Sequence, residues 1–312
     1  MIPILLGCVA QTLLVLGLAP GINGLIKGLK ARLQTRDGPP LWQGYADLAK
    51  WLRKRQVYSA HASWVSRVAP VVSFAAILCA GLLVTTLARQ APLGLSGDLI
   101  AFVYLLVLAR FATALGGLDA GGAFGGMGSS REMAISALAE PVLLLALFSL
   151  AARAGGSSLT QMVTTAPGLG SAGSLLAFAA LYVVVLAETG RIPVDNPDTH
   201  LELTMVHEGM ILEASGPDLA LYHWGAMVKQ LLLFGLLVDL FLPWGLAAAG
   251  EGAGAVALSA LLYLLKIGVL ATAVAVTETA MAKLRIFRVP DLMGTAFALA
   301  LLGLAAGPAL HA

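Results

Sequence analysis

The twenty residues from Met133 to Ala152, MAISALAEPVLLLALFSLAA, hold one ionisable side chain, Glu140, followed at once by Pro141. Wound as an α-helix, a run of this length reaches about 30 Å, the thickness of a bilayer's hydrocarbon core. Its polarity does not alternate as a barrel strand's would. It reads as a transmembrane helix, and the carboxyl group inside it costs about 2.5–3.5 kcal/mol on insertion scales. A residue that expensive calls for an explanation in function or in pairing.

Similar runs recur on both sides. The expected spans are 3–26, 68–88, 98–117, 133–152, 173–190, 225–247, 254–276 and 292–310. Composition agrees: of 312 residues, 59% are hydrophobic and 12% charged, with a mean hydropathy of +0.88. A soluble domain carries about a quarter charged residues. The expected fold is all-α, an integral membrane bundle of about eight transmembrane helices forming a single domain over 1–312. Met1 to Pro20 lacks a basic leading segment and an A-x-A-like site, so it reads as the first span and not as a cleaved signal. A net charge of +2 gives no reason to expect nucleic-acid binding. Cys8 and Cys79 form neither a CxxC pair nor a Cys/His set, which argues against an iron–sulfur, nickel or zinc site in this chain.

The connections alternate. Loops 27–67, 118–132, 191–224 and 277–291 are long and charged, whereas 89–97, 153–172 and 248–253 are short or bland. Fourteen of the 19 Lys and Arg residues lie in the first set. The positive-inside rule places those loops in the cytoplasm and both termini outside. Within the first loop, Gly38-Pro39-Pro40 makes a turn. Leu41, Tyr45, Leu48 and Leu52 then recur at helical spacing, with Arg53, Lys54 and Arg55 at the end where the helix dipole favours cations. An amphipathic helix at the cytoplasmic membrane surface is expected, as a lipid anchor or as a partner-docking or cavity-lining element.

Among the ionisable residues in or at the edges of the spans, six stand out: Arg110, Glu140, Glu188, Asp239, Lys266 and Glu278. Glu140, Glu188, Lys266 and Glu278 are expected on four different helices and are candidates for a buried ion path, or for ion pairs that neutralise one another. Asp239 stands four residues before Pro243-Trp244, near the outer interface, and Arg110 can snorkel towards the surface. The densest acidic stretch follows Glu188 and holds Asp195, Asp198, His200, Glu202, His207, Glu208 and Glu213. Such groups can exchange protons and shift one another's titration. The bland alternative is a solvated loop with capping Asp residues. His200 and His207 stand seven apart with no HExxH pattern, so no metal site and no catalytic group is expected.

Four segments, in order, resemble the membrane subunit shared by respiratory complex I (its subunit 1) and by membrane-bound [NiFe] hydrogenases and formate hydrogenlyases. They are Arg36-Asp37-Gly38-Pro39-Pro40 with Gln43, Tyr45, Asp47 and Lys50; Gly117-Leu118-Asp119 through Arg131-Glu132; Glu188 to Pro197 with its Arg-x-Pro-x-Asp; and Lys283 to Met293. The Gly-Pro-Pro turn and the Leu118-Asp119 connection are similar to the hydrogenase branch. One departure is Asp198-Thr199-His200-Leu201-Glu202-Leu203, where the family runs Glu-x-Glu-x-Glu-Leu. The resemblance implies a non-catalytic, ion-coupling anchor in a prokaryotic cell membrane. Soluble hydrogenase-like large and small subunits carrying NiFe and iron–sulfur centres would dock on the cytoplasmic loops, with antiporter-like membrane subunits and lipid alongside. It makes Arg36, Asp37, Gln43, Tyr45, Asp47, Lys50, Arg53, Lys54, Arg55, Asp119, Arg131, Arg191, Arg285 and Arg288 candidates for partner docking or a quinone cavity. The competing expectations are a quinone-site subunit of a complex I-like dehydrogenase and a stand-alone secondary transporter. The transporter would show paired internal repeats, and none stands out.

Overall fold

A computed structural model describes residues 2–86, 91–94, 98–165, 168–197, 204–247 and 253–306. Eleven α-helices occur among them. In chain order they are α1 (Ile2–Leu33), α2 (Gln43–Leu52), α3 (Val65–Leu83), α4 (Asp98–Asp119), α5 (Ala123–Ala154), α6 (Leu159–Thr165), α7 (Ala172–Glu188), α8 (His207–Met210), α9 (Gly216–Phe241), α10 (Ala253–Ala280) and α11 (Val289–Ala305). Each expected span coincides with one helix. Seven are long and apolar enough to cross a membrane; the eighth, α7, is a shorter apolar helix of 17 residues.

The ends differ from expectation where local chemistry overrides the apolar run. The α9 helix begins at Gly216, nine residues before the expected 225, because Ser215-Gly216-Pro217-Asp218 is a helix start with proline in the first turn. It stops at Phe241, short of 247, because the residue before Pro243 is held out of the helical region. The α5 helix begins at Ala123, so the expected 118–132 loop shrinks to a tight corner. At the end of α7, Gly190 adopts φ +58°. The amide of Gly190 then donates to Ala187 O and that of Arg191 to Leu186 O, the paired bonds of a Schellman turn. The turn folds the chain back and carries Arg191 into the bundle.

At the centre stands α9, packed on α1, α2, α3, α7 and α10. Every residue from Gln230 to Phe241 is buried, as a helix that is apolar all round requires. The eight residues Leu231–Val238 carry no polar side chain. Around it, α3 pairs with α4, and α11 lies across α5 and α7. The α11–α7 crossing brings backbone close to backbone: a Cβ on Gly303 would stand 3.1 Å from Gly173 O.

The short α2 packs where a proline interrupts the hydrogen-bond ladder of α1. Pro20 lacks the N–H that would bond Leu16 O. Trp224 of α9 supplies the missing donor, its indole nitrogen 3.1 Å from Leu16 O, and the Tyr45 hydroxyl donates to Gly17 O at 2.5 Å. Trp51 of α2 stacks on His223 of α9 with ring centroids 4.6 Å apart. The α2 helix therefore packs against α1 and α9, with Leu48 as its buried contact.

Candidate functional site

Arg110 is the hub of a buried cluster drawn from four helices. Its guanidinium donates through Nη1 to Glu140 Oε1 at 2.5 Å and through Nη2 to Glu188 Oε2, while Nε faces Glu132 Oε1 at 3.3 Å. Lys229 of α9 adds a second cation, 2.9 Å from the same Glu188 Oε2. The planar fork of arginine suits it to serve several carboxylates at once. Three carboxylates face two cations in this cluster. Glu188 Oε1 is left buried without a hydrogen-bond partner.

A second cluster lies on the other side of α9. Arg191 donates from Nη2 to Asn23 Oδ1 and Gln230 Oε1, both at 2.8 Å, and from Nη1 to Glu278 Oε1 at 3.3 Å. Lys30 stands 3.3 Å from the other oxygen of Glu278. Lys229 and Gln230 are consecutive and so point about 100° apart, one to each cluster. On the α7 side, Glu188 and Arg191 are three residues apart across the Schellman turn. The two clusters thus form one polar belt through the bundle. At its edge, Lys283 donates to Asp195 Oδ1 at 2.6 Å and to Thr204 O at 2.7 Å, while Asp195 Oδ2 accepts the His207 amide at 3.3 Å.

The Arg110 cluster borders a cavity that offers water about 70 Å³, enough for about five molecules. Arg110, Glu132, Glu188, His207, Tyr222 and Lys229 supply its polar wall. A smaller cavity of about 30 Å³ lies beyond Met210 and Tyr222, which line both, and reaches Tyr58, Glu213 and Asp218. Tyr58 donates to Asp218 Oδ2 at 2.7 Å; burial, then that hydrogen bond, pushes its hydroxyl up to about 12.

The expected path residues are therefore only partly brought together. Glu140 and Glu188 meet; Glu278 joins through Arg191 and the belt. Lys266 does not: its ammonium donates to Leu242 O at 2.6 Å and to Trp244 O and lies over the Trp244 ring. Asp239, expected near the outer interface, is fully buried and accepts from Thr85 at 3.0 Å. Arg110, expected to snorkel, is buried because three carboxylates hold it inside. Asp195 is buried, Glu208 half-buried and Glu213 exposed; Asp198, His200 and Glu202 lie outside the described residues.

The docking candidates also divide. Arg36, Asp37, Gln43, Arg53, Lys54, Arg55, Arg285 and Arg288 are exposed. Tyr45 is committed to Gly17, and Lys50 pairs with Asp47 at 2.9 Å. Burial pushes the Asp47 carboxyl up, but the bonds from Lys50 and Gln43 outweigh it and hold it below the usual range. Asp119 instead caps the start of α3, accepting from the amides of Ser63 and Ser66 at 2.8 and 3.0 Å. Arg131 donates to Met205 O at 3.0 Å, and Arg191 is inside the belt and off the surface. Lys229, Glu132, Lys30, Asn23 and Gln230 are participants that sequence reasoning missed. Lys229 carried a signal, being a charge inside the expected 225–247 span; neutral Asn23 and Gln230 carried none. Among the described residues, no group of three or more His, Cys, Asp and Glu is placed to hold a metal ion.

Residues 6–306 match the family described as NADH dehydrogenase. The chain is 34% identical over 297 residues to hydrogenase-4 component C of Escherichia coli (strain K12), covering 94% of this chain and 92% of that one. It is 32% identical over 295 residues to formate hydrogenlyase subunit 4 of the same strain, covering 94% and 95%. It is 31% identical over 231 residues to a subunit of the NADH-quinone oxidoreductase of Geobacter sulfurreducens, covering 69% of each. In fold it resembles a chain of the membrane-bound sulfane sulfur reductase, an archaeal respiratory membrane complex, with a TM-score of 0.85 over 98% of this chain and 99% of that one, at 18% identity.

Proposed function

Because this chain belongs to the NADH dehydrogenase family, we propose that it is the membrane-anchoring and proton-coupling subunit of a hydrogenase-type redox complex in a prokaryotic cell membrane. The branch is supported by the similarity to hydrogenase-4 component C, at 34% identity over 94% of the chain, against 31% over 69% for the quinone-oxidoreductase relative. In this reading, soluble partner subunits hold the NiFe and iron–sulfur centres and dock on the face formed by the 27–67, 118–132, 191–224 and 277–291 segments. That face looks into the cytoplasm and both termini lie outside, as the distribution of Lys and Arg supports.

The observation that carries the coupling role is the Arg110 cluster beside its water-sized cavity. A purely structural pair would be neutral and fully partnered, because an uncompensated charge in a low-dielectric interior is costly. Here three carboxylates share two cations, and one oxygen of Glu188 has no partner beside room for water. A carboxylate so placed can take up and release a proton while Arg110 and Lys229 hold its geometry.

Glu188→Gln and Glu140→Gln keep the shape and remove the titration. Each variant complex is expected to assemble, and translocation in inverted vesicles, read by a pH-sensitive dye during viologen-driven turnover, is expected to fall by roughly a hundredfold. If the carboxylates serve only as structural partners, removing one strands its cations at a cost of about 3–5 kcal/mol, and the result is poor assembly instead. Normal yield with normal translocation in both variants eliminates the path.

A further inference from the structure

His207 ends the loop that leaves α7 and opens α8. Its amide is tied to Asp195, and the preceding turn is pinned where Arg131 donates to Met205 O. Gly128 and Gly209 let α8 lie against α5: a Cβ on Gly209 would meet Gly128 Cα at 3.4 Å. The backbone of His207 is therefore held in place, and His207 lines the same cavity as Glu188. Three buried atoms of residues that line that cavity lack a hydrogen-bond partner: His207 Nε2, Glu188 Oε1 and Arg110 Nε, the last facing Glu132 at 3.3 Å. Orphans of this kind are rare because each costs the desolvation of a polar group. A cavity with room for about five waters lets the first two be satisfied by one short water chain.

We propose that His207 is the proton-relay residue between the cytoplasmic loop and Glu188, working through water in this cavity; the proposal rests on the coupling role above. The imidazolium gives its Nε2 proton to a cavity water, and that water gives a proton to Glu188 Oε1. Imidazolium becomes imidazole and carboxylate becomes carboxylic acid; no electrons move. Arg110 and Lys229 hold the Glu188 carboxylate in place beside the cavity, with Glu132 on the same wall. On the loop side, Asp195 with its Lys283 partner and the adjacent Glu208 set the field at the ring, and His223 of α9 adds to it. After the proton moves, Arg110 still holds Glu140 and Glu132, so the cluster does not fall apart when Glu188 is neutral.

The test uses the assembled complex in inverted vesicles, with translocation read by dye during viologen-driven turnover. His207→Gln is expected to assemble, to lose translocation by roughly a hundredfold, and to flatten the alkaline limb of the wild-type pH profile. His207→Gly leaves a hole the size of the lost ring, and added imidazole is expected to restore much of its translocation. A merely structural histidine predicts neither the flattened limb nor the rescue. Loss of translocation in Glu188→Gln with full translocation in His207→Gln overturns the relay and leaves the path standing. Full translocation in both overturns the path as well. An assembled His207→Gly complex that imidazole does not rescue counts against the relay.

Discussion

At the scale of single residues, ammonium and guanidinium groups do two different jobs in this bundle. Arg110 and Lys229 hold carboxylates; Lys266 holds backbone. Beyond Phe241 the chain leaves the helix, and Lys266 reaches across from α10 to the carbonyls of Leu242 and Trp244. Lys266→Met keeps the stem's volume and strands both oxygens, at about 1–3 kcal/mol each. The expected result is a lower thermal midpoint in detergent with translocation unchanged, because Lys266 is not part of the polar belt. Loss of translocation at a normal midpoint would return it to the path. The cost of a buried charge made Glu140, Glu188 and Glu278 visible in the sequence as important. What that cost could not show was which charges meet. Lys266 and Glu278, expected on different helices, share α10, because that helix runs on to Ala280; one bonds backbone carbonyls beyond α9 and the other pairs with Arg191.

At the scale of elements, apolar run length located the helices and local chemistry set their ends. The helices of the eight expected spans were legible because a bilayer demands about twenty apolar residues; seven reach spanning length and α7 is shorter. The start of α9 was not, because Pro217 and Asp218 begin a helix inside what composition reads as loop. Helix contacts were hidden too, since they depend on small residues whose partners are far away in sequence. The crossing of α7 and α11 is such a case. A Cβ on Gly303 would lie 3.1 Å from Gly173 O and 3.2 Å from Ala177 N, whereas one on Gly294, in the same helix, meets nothing within 4 Å. Gly303→Leu is therefore expected to cost about 1–3 kcal/mol or more through overpacking and to lower the yield of folded protein. Gly294→Leu should leave yield and midpoint unchanged. Equal behaviour of the two variants would show that α11 does not need the close approach.

At the scale of the whole molecule, charge is sorted by position. The belt is buried and nearly compensated; the exposed cations gather on the loops, with Arg53, Lys54 and Arg55 following α2. Phe287, between Arg285 and Arg288, is 89% exposed. Reversing Arg53, Lys54 and Arg55 to Glu together is expected to release the soluble partners during purification in mild detergent while the chain stays inserted. Wild-type complex should lose them only at high salt, where screening shortens to a few ångströms. A fully assembled, salt-resistant triple variant would assign the cluster to lipid headgroups instead. This division was partly legible, since loop charge was counted from the sequence. The inward turn of Arg191 was not, because it depends on the positive φ of Gly190, which no apolar run announces.

The apolar stretch Leu231–Val238 of α9 has a consequence for biogenesis. It stacks about 12 Å of hydrocarbon between the belt at Gln230 and the buried Asp239, and an unpaired ion meets a barrier of many kcal/mol there. On the proposed coupling role, a copy inserted ahead of its partners is expected to pass no ions along α9 and so to leave the membrane voltage intact.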